Sequence, residues 1–214
     1  MVIFNLRMDS LYKFYIQKTM KKINNFEHLK HYFERLVNED HFYFVQVLRR
    51  KKDDGQPPNF HVIRNYHLFS VKEFEKNMPG IIELCESNNA RAYFWVNPRD
   101  AKKIALETSK ALIDHVVNQT VKRSYRTYDH ICGKIKASGY DQHWIVEVDD
   151  KTLLSELEDY LSEHIVDVIE TAQGCHLITK KFDSETFKEF FEDVDIHKDN
   201  PTLLYYAENG RKDL

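Results

Sequence analysis

Glu147, Asp149 and Asp150 end a run, HWIVEVDD over 143–150, whose other residues have the apolar content of a buried strand. Read as a strand, it turns Trp144, Val146 and Val148 to one face and Ile145, Glu147 and Asp149 to the other. One face is then apolar throughout, and the other becomes acidic at its C-terminal end. Two carboxylates at i and i+2 repel unless a cation lies between them or water surrounds them. Magnesium or manganese accepts oxygen ligands of this kind and converts the repulsion into coordination. The simpler account is an exposed strand end, with Asp150 capping a helix that begins at Lys151.

A second run, QGCHLITKK over 173–181, puts His176, Ile178 and Lys180 on one strand face and Cys175, Leu177 and Thr179 on the other. Gly174 permits close approach of backbone or ligand. Histidine donates to phosphate oxygens and lysine neutralises their charge. The alternative is a half-buried His176 bonded to a neighbouring strand, with Lys180 and Lys181 solvated. A third acidic source is FFEDVDIHKDNPTLLYY over 190–206. Asp193 and Asp195 share a side if this stretch is extended, while Asp199 and Asn200 support a turn before Pro201. Carboxylates from two places, with a separate histidine and lysine, can bind two metals and a triphosphate. There is no Walker sequence, no dinucleotide glycine pattern and no HExxH.

These residues need strands to carry them. From 143 onward the pattern reads strand, helix, strand, strand, helix, strand, over 143–149, 151–162, 164–170, 175–179, 184–191 and 202–206. Upstream, HFYFVQVLRR and FHVIRNYHLF form a hairpin around the loop KKDDGQPPN. NFEHLKHYFERLV over 25–37 is a helix capped by Asn25, and the helix after Ser70 bends or breaks near Pro79 and Gly80. RAYFWVN is a strand, and PRDAKKIALETSKALIDHVVNQ a helix with Pro98 in its first turn. The expected fold is α+β: a mixed, partly antiparallel sheet with helices on one face. An N-terminal helical segment over 1–40 packs on a core domain over 41–214, which carries a basic helical excursion at 121–140.

With 42% hydrophobic residues, 14 Phe and 12 Tyr among 214 residues, the chain can bury a large core. Its 6 Gly and 5 Pro argue against a long flexible linker. A net charge of -3 does not advertise a nucleic-acid binder, although a local basic groove can coexist with it. Cys85, Cys132 and Cys175 lack disulfide or zinc spacing and fit a reduced, cytoplasmic setting. The N-terminal stretch does not read as a signal peptide, and no run is long enough for a membrane span.

In order and type, these motifs resemble the archaeo-eukaryotic primase superfamily, in particular a small phage or mobile-element primase-polymerase. Its members carry an acidic-x-acidic strand, then a small-x-histidine strand, then a carboxylate near a final strand. Glu147-Val148-Asp149 resembles the first, Gly174-Cys175-His176 the second, and Asp195, or else Asp193, the third. AYFWVNPRD is similar to a strand-to-helix element of several phage-type members. The resemblance runs over roughly residues 40–209. It implies an RRM-like catalytic core and a template-directed nucleotidyl transferase in which Glu147, Asp149 and Asp195 are the catalytic carboxylates. Those three, with Asp193 as the substitute, would hold Mg2+ or Mn2+. His176 would contact the phosphates of the incoming nucleoside triphosphate, and Lys180 is added to it on physical grounds. Departures are Glu147 where many members have Asp, the lack of arginine in NPTLLYY, and the lack of a zinc module or attached helicase. A replication helicase would therefore act in trans, and the setting would be a host cytoplasm for a phage-encoded chain.

A polymerase also needs a track for single-stranded DNA or RNA. Arg49, Arg50, Arg64, Arg99, Lys122, Arg123 and Arg126 are the candidate contacts, with Tyr125 and Tyr128 available for base stacking. The same residues are also ordinary means of keeping a helical excursion soluble. Two competing functions remain: a primase-like nucleic-acid-binding or interaction protein without catalysis, and a metal-dependent nuclease.

Overall fold

The structure, a computed structural model, describes residues 22–35, 39–50 and 60–207. In chain order the elements are β1 (Lys22–Asn24), α1 (Phe26–Phe33), β2 (His41–Arg50), β3 (Phe60–Leu68), α2 (Val71–Asn88), β4 (Arg91–Trp95), β5 (Arg99–Asp100) and α3 (Ala101–Val117). A 3-10 helix (Val121–Arg126) leads into α4 (Thr127–Cys132), β6 (Trp144–Val148), a 3-10 turn (Lys151–Leu153) and α5 (Leu154–Tyr160). The chain closes with β7 (Ile165–Glu170), β8 (Cys175–Thr179), α6 (Ser184–Phe190), β9 (Ile196–His197) and β10 (Pro201–Ala207).

The α+β class holds, but the strands form two sheets rather than one. The larger runs β1-β10-β4-β2-β3 with β5 paired to β2, and the smaller runs β7-β8-β6-β9. Every pairing among the described residues is antiparallel, in place of the expected partly antiparallel mixture. The chain builds most of the first sheet, leaves to build the second, and returns with β10 between β1 and β4.

Alternation along each strand sorts the core into layers. In β2, Tyr43, Val45 and Val47 face a large cluster, whereas Phe42 and Phe44 face Ile104, Cys132 and the partly buried Tyr128 and Ile131 of α3 and α4. The large cluster takes Phe26, Leu29, Tyr32 and Phe33 of α1, Phe74, Ile81 and Cys85 of α2, and also Ile145, Ile169 and Ile178 of the smaller sheet. The two sheets therefore share one core. The other face of the smaller sheet, Val146, Val148, Cys175 and Leu177, packs on Leu157 of α5 and Phe187 of α6. For that sheet the helices lie on one face, as expected.

Local chemistry departs from expectation at several points. Pro79 and Gly80 sit inside a continuous α2. Proline forgoes one ladder hydrogen bond, but buried Phe74, Ile81 and Cys85 on either side hold the helix to the core. Its start is capped as the sequence allows, with Ser70 accepting from the Glu73 amide at 3.2 Å. Asn25 makes no side-chain cap for α1. Its amide instead donates to the carbonyls of Glu170 at 2.9 Å and Leu203 at 2.8 Å, joining the end of β7 to β10. Asn97 does similar work: it accepts from the His143 amide at 2.8 Å and donates to the His143 carbonyl at 3.0 Å. Of the N-terminal segment over 1–40, residues 1–21 and 36–38 lie outside the described residues, as does the hairpin loop over 51–59. The excursion after 120 is the 3-10 helix plus α4. No helix among the described residues is long and apolar enough to cross a membrane.

Arg99 is not a surface residue. It is fully buried, lies over the Trp95 ring at 4.5 Å, and donates from Nη1 to Asp199 at 3.0 Å. Asp199 is on the loop from β9 to β10, so this ion pair pins the crossing between the sheets. Burial lowers the guanidinium's proton affinity, and Asp199 opposes that. Breaking a buried pair by removing one partner is far worse than replacing both. Asp199→Ala is therefore expected to cost the lower end of roughly 3–5 kcal/mol, and adding Arg99→Met should recover most of it; urea unfolding of both variants checks this.

His143 is buried, with Arg35 Nη1 3.0 Å from its Nε2. Burial first, then the Arg35 charge, lowers its pKa from 6.5 to about 4. Above pH 6.5 the ring is neutral both folded and unfolded and contributes no pH dependence. Between there and about pH 4 the unfolded chain takes a proton that the fold refuses, so stability falls. The fall should be on the order of 3 kcal/mol, and His143→Gln should flatten it in denaturant midpoints measured across that range.

Candidate functional site

Because Val146, Val148, Cys175 and Leu177 must face the helices, Glu147 and His176 face the other sheet. The β6–β8 register sets Glu147 directly opposite His176. On the other side of β6, β9 pairs Ile145 with His197, and the Glu147 amide donates to the Asp195 carbonyl at 2.9 Å. One ligand atom each from Glu147, Asp195 and His197 lies within 4.8 Å of the others. His197 Nε2 is 3.0 Å from Glu147 Oε2. His176 Nδ1 is 2.9 Å from the Thr202 hydroxyl of β10, which ties the ring to the larger sheet.

The charges are interdependent. The hydrogen bond from His197 holds the Glu147 carboxyl below its ordinary range, with His176 adding to the effect. The same bond raises the pKa of His197. Burial dominates at His176 and lowers its pKa, while Glu147 pulls the other way. Burial thus favours the neutral form of the His176 imidazole.

Gly174 determines how tightly β8 meets the end of β6. A Cβ there would stand 1.8 Å from the Val148 carbonyl oxygen and 3.0 Å from Asp149 Cα. Real contacts are never so short, so only glycine allows this approach. Asp149, just past β6, is exposed at the mouth of the resulting cleft.

The cleft has a volume of about 540 Å³, within the range of small-molecule sites. The smaller sheet supplies Glu147, Asp149, His176 and His197; the larger supplies Leu48, Arg50, Arg91, Tyr93 and Leu203. The cleft thus has an acidic, imidazole-bearing wall and a facing wall with two arginines and apolar surface. Two carboxylates and an imidazole fit a divalent cation with open positions for substrate. Oxygen ligands suit Mg2+ or Mn2+, and the imidazole tilts the preference toward Mn2+ or another transition metal.

Of the residues singled out in the sequence, Glu147, Asp149, His176, Asp195 and Arg50 come together here. Asp193 is exposed and outside the ligand cluster, because the neighbouring Val194 turns into the helix-covered core. Asp150 caps the 3-10 turn, accepting from the Thr152 amide at 2.9 Å. Lys180 lies at the far end of β8 and lines a second cavity with Arg35 and His143. That removes it from His176, four residues and roughly 13 Å back along the strand. Arg49, Arg64, Lys122, Arg123 and Arg126 are exposed and do not line the cleft. Arg99, a proposed template contact, is committed to Asp199 inside the core. His197 was not anticipated, yet Asp195-x-His197 is the same i, i+2 spacing that marked Glu147-x-Asp149; Arg91 and Tyr93 carried no such signal.

Gly174→Ala should push β8 off the end of β6, costing roughly 1–3 kcal/mol and weakening Mn2+ binding. Glu147→Gln and His197→Ala should each weaken Mn2+ binding by more than about tenfold, the effect that loss of an outer-sphere partner alone can have. Electron paramagnetic resonance titration of free Mn2+ measures both, and unchanged affinity in Glu147→Gln would remove that residue from the ligand set. No protein-family model matches the chain, and no curated protein or solved structure matches it.

Proposed function

We propose that the cleft between the sheets binds a divalent cation with a nucleoside triphosphate, and that the protein is a template-directed nucleotidyl transferase of the primase or primase-polymerase kind. The observation that carries this reading is the convergence of Glu147, Asp195 and His197 beside His176 and Asp149, facing Arg50 and Arg91 across the cleft. The primase-like order of the motifs in the sequence supports the same reading.

The chemistry is attack of a primer 3′-hydroxyl on the α-phosphorus, with release of pyrophosphate. A bound cation would supply charge neutralisation at the phosphates and a lowered pKa at the attacking hydroxyl. Glu147, Asp195 and His197 would hold that charge in place, and Asp149 offers a further carboxylate at the cleft mouth. In the tautomer where Nδ1 accepts from the Thr202 hydroxyl, the His176 proton sits on Nε2 and meets a phosphate oxygen. Arg50 and Arg91 neutralise the phosphate chain from the opposite wall. Leu48, Tyr93 and Leu203 form the apolar surface on which a sugar and base rest. The template would track over exposed Arg49, Arg64, Lys122, Arg123 and Arg126, where Tyr125 is 74% exposed and open to base stacking.

One feature favours hydrolysis as a second reading. An imidazole in the ligand set also suits a metal-dependent nuclease. Labelled DNA incubated with Mn2+, with and without dNTPs, separates the two by extension or shortening. Incorporation in the intact protein should fall at least about a hundredfold in Asp149→Asn and in Glu147→Gln while single-strand binding persists. Single-strand binding with neither extension nor shortening would leave a non-catalytic nucleic-acid-binding protein.

A further inference from the structure

The second cavity, about 670 Å³, opens at the other end of the space between the sheets. Its walls come from the end of α1, the start of β2, the loop before β6, the start of β7 and the end of β8. They carry Arg35, His41, Tyr140, Asp141, His143 and Lys180. The groups are arranged rather than scattered. Arg35 lies over the buried Tyr32 ring at 4.9 Å and reaches to 3.0 Å from His143 Nε2. His41 and Tyr140 are 3.1 Å apart, ring nitrogen to hydroxyl. His41 and His143 are both buried.

Two cations without a carboxylate in ion-pair contact among the described residues, Arg35 and Lys180, line this cavity together with the His143 ring. Arg35 first and Lys180 more weakly disfavour a proton on His143, while the Asp141 carboxylate favours one. Asp141, exposed at the rim, is the one carboxylate in the lining. Two positive groups against one carboxylate leave the lining net positive, which favours an anion that joins the two cations. A planar guanidinium, an ammonium and imidazole N–H groups supply donors from several directions, which matches a tetrahedral oxyanion better than a planar one.

We infer that this cavity is a phosphate-binding site, separate from the metal-ligand cluster and independent of the polymerase reading. Its ligand is a phosphate group, carried by a small phosphorylated molecule or by a nucleic-acid strand. Arg35 forms the bidentate contact, Lys180 the charge contact at the rim, and His41 an inner donor.

The test uses the full chain in EDTA, with the imidazole resonances of all histidines followed by NMR during titration with inorganic phosphate. The expected result is saturable shifts at His41 and His143, weakened at least tenfold in Arg35→Gln and in Lys180→Gln. Lys180 is exposed, so its variant remains informative should Arg35→Gln fail to fold. Shifts confined to His176 and His197, equal shifts with acetate, or undiminished binding in Lys180→Gln would overturn the assignment. A 5′-phosphorylated dinucleotide that binds through the same residues more tightly than phosphate assigns the ligand to nucleic acid. Phosphate binding at these residues without that gain assigns a small phosphorylated molecule.

Discussion

The period-two alternation of the smaller sheet governs everything built on it. Val146, Val148, Cys175 and Leu177 have one place to go, the layer under α5 and α6. Sliding either strand by one residue would turn its two apolar side chains away from the helices and bury Glu147 or His176 beneath them. The hydrophobic set therefore sets the position of the polar set. The ladder between β6 and β8 then brings a carboxylate and an imidazole, 29 residues apart in the chain, to directly opposed positions. Burial of the apolar residues holds the polar ones where water alone would not keep them.

The larger sheet closes the site from the opposite side. Its last strand, β10, is made after the smaller sheet is complete, so the chain must cross from one to the other over 198–200. Asp195 and His197 lie just before that crossing, and Asn200 and Pro201 line the cleft just after it. The buried pairing of Arg99 with Asp199 fixes the crossing. It stands for a general arrangement in which a charge far from the reacting groups sets where their backbone runs.

Much of this was legible from the residues. The strands over 143–149 and 175–179 lie within one residue of the observed β6 and β8, because long alternating runs leave little freedom of interpretation. The juxtaposition of Glu147 and His176 followed from them, whereas Asp195 was singled out, ahead of Asp193, by the resemblance. The separation into two sheets was not legible, since which strands pair depends on contacts distant in sequence, and β10 returns to partners made more than a hundred residues earlier. β9 is two residues long and leaves no periodicity to read, which hid His197. Arg99 misled because sequence position does not distinguish a solvated arginine from one held inside by a distant aspartate. Asn25 misled for a related reason: the residue type that caps helices equally satisfies orphan carbonyls between strands.

That asparagine has a mechanical consequence. Its amide spans the carbonyls of Glu170 and Leu203, one from each sheet, and Leu203 and Thr171 border the cleft. Prising the walls apart would break both bonds and strand the buried Leu203 acceptor. The aperture thus behaves as a fixed gauge: a guest is admitted by its girth, with no jaw closing upon it.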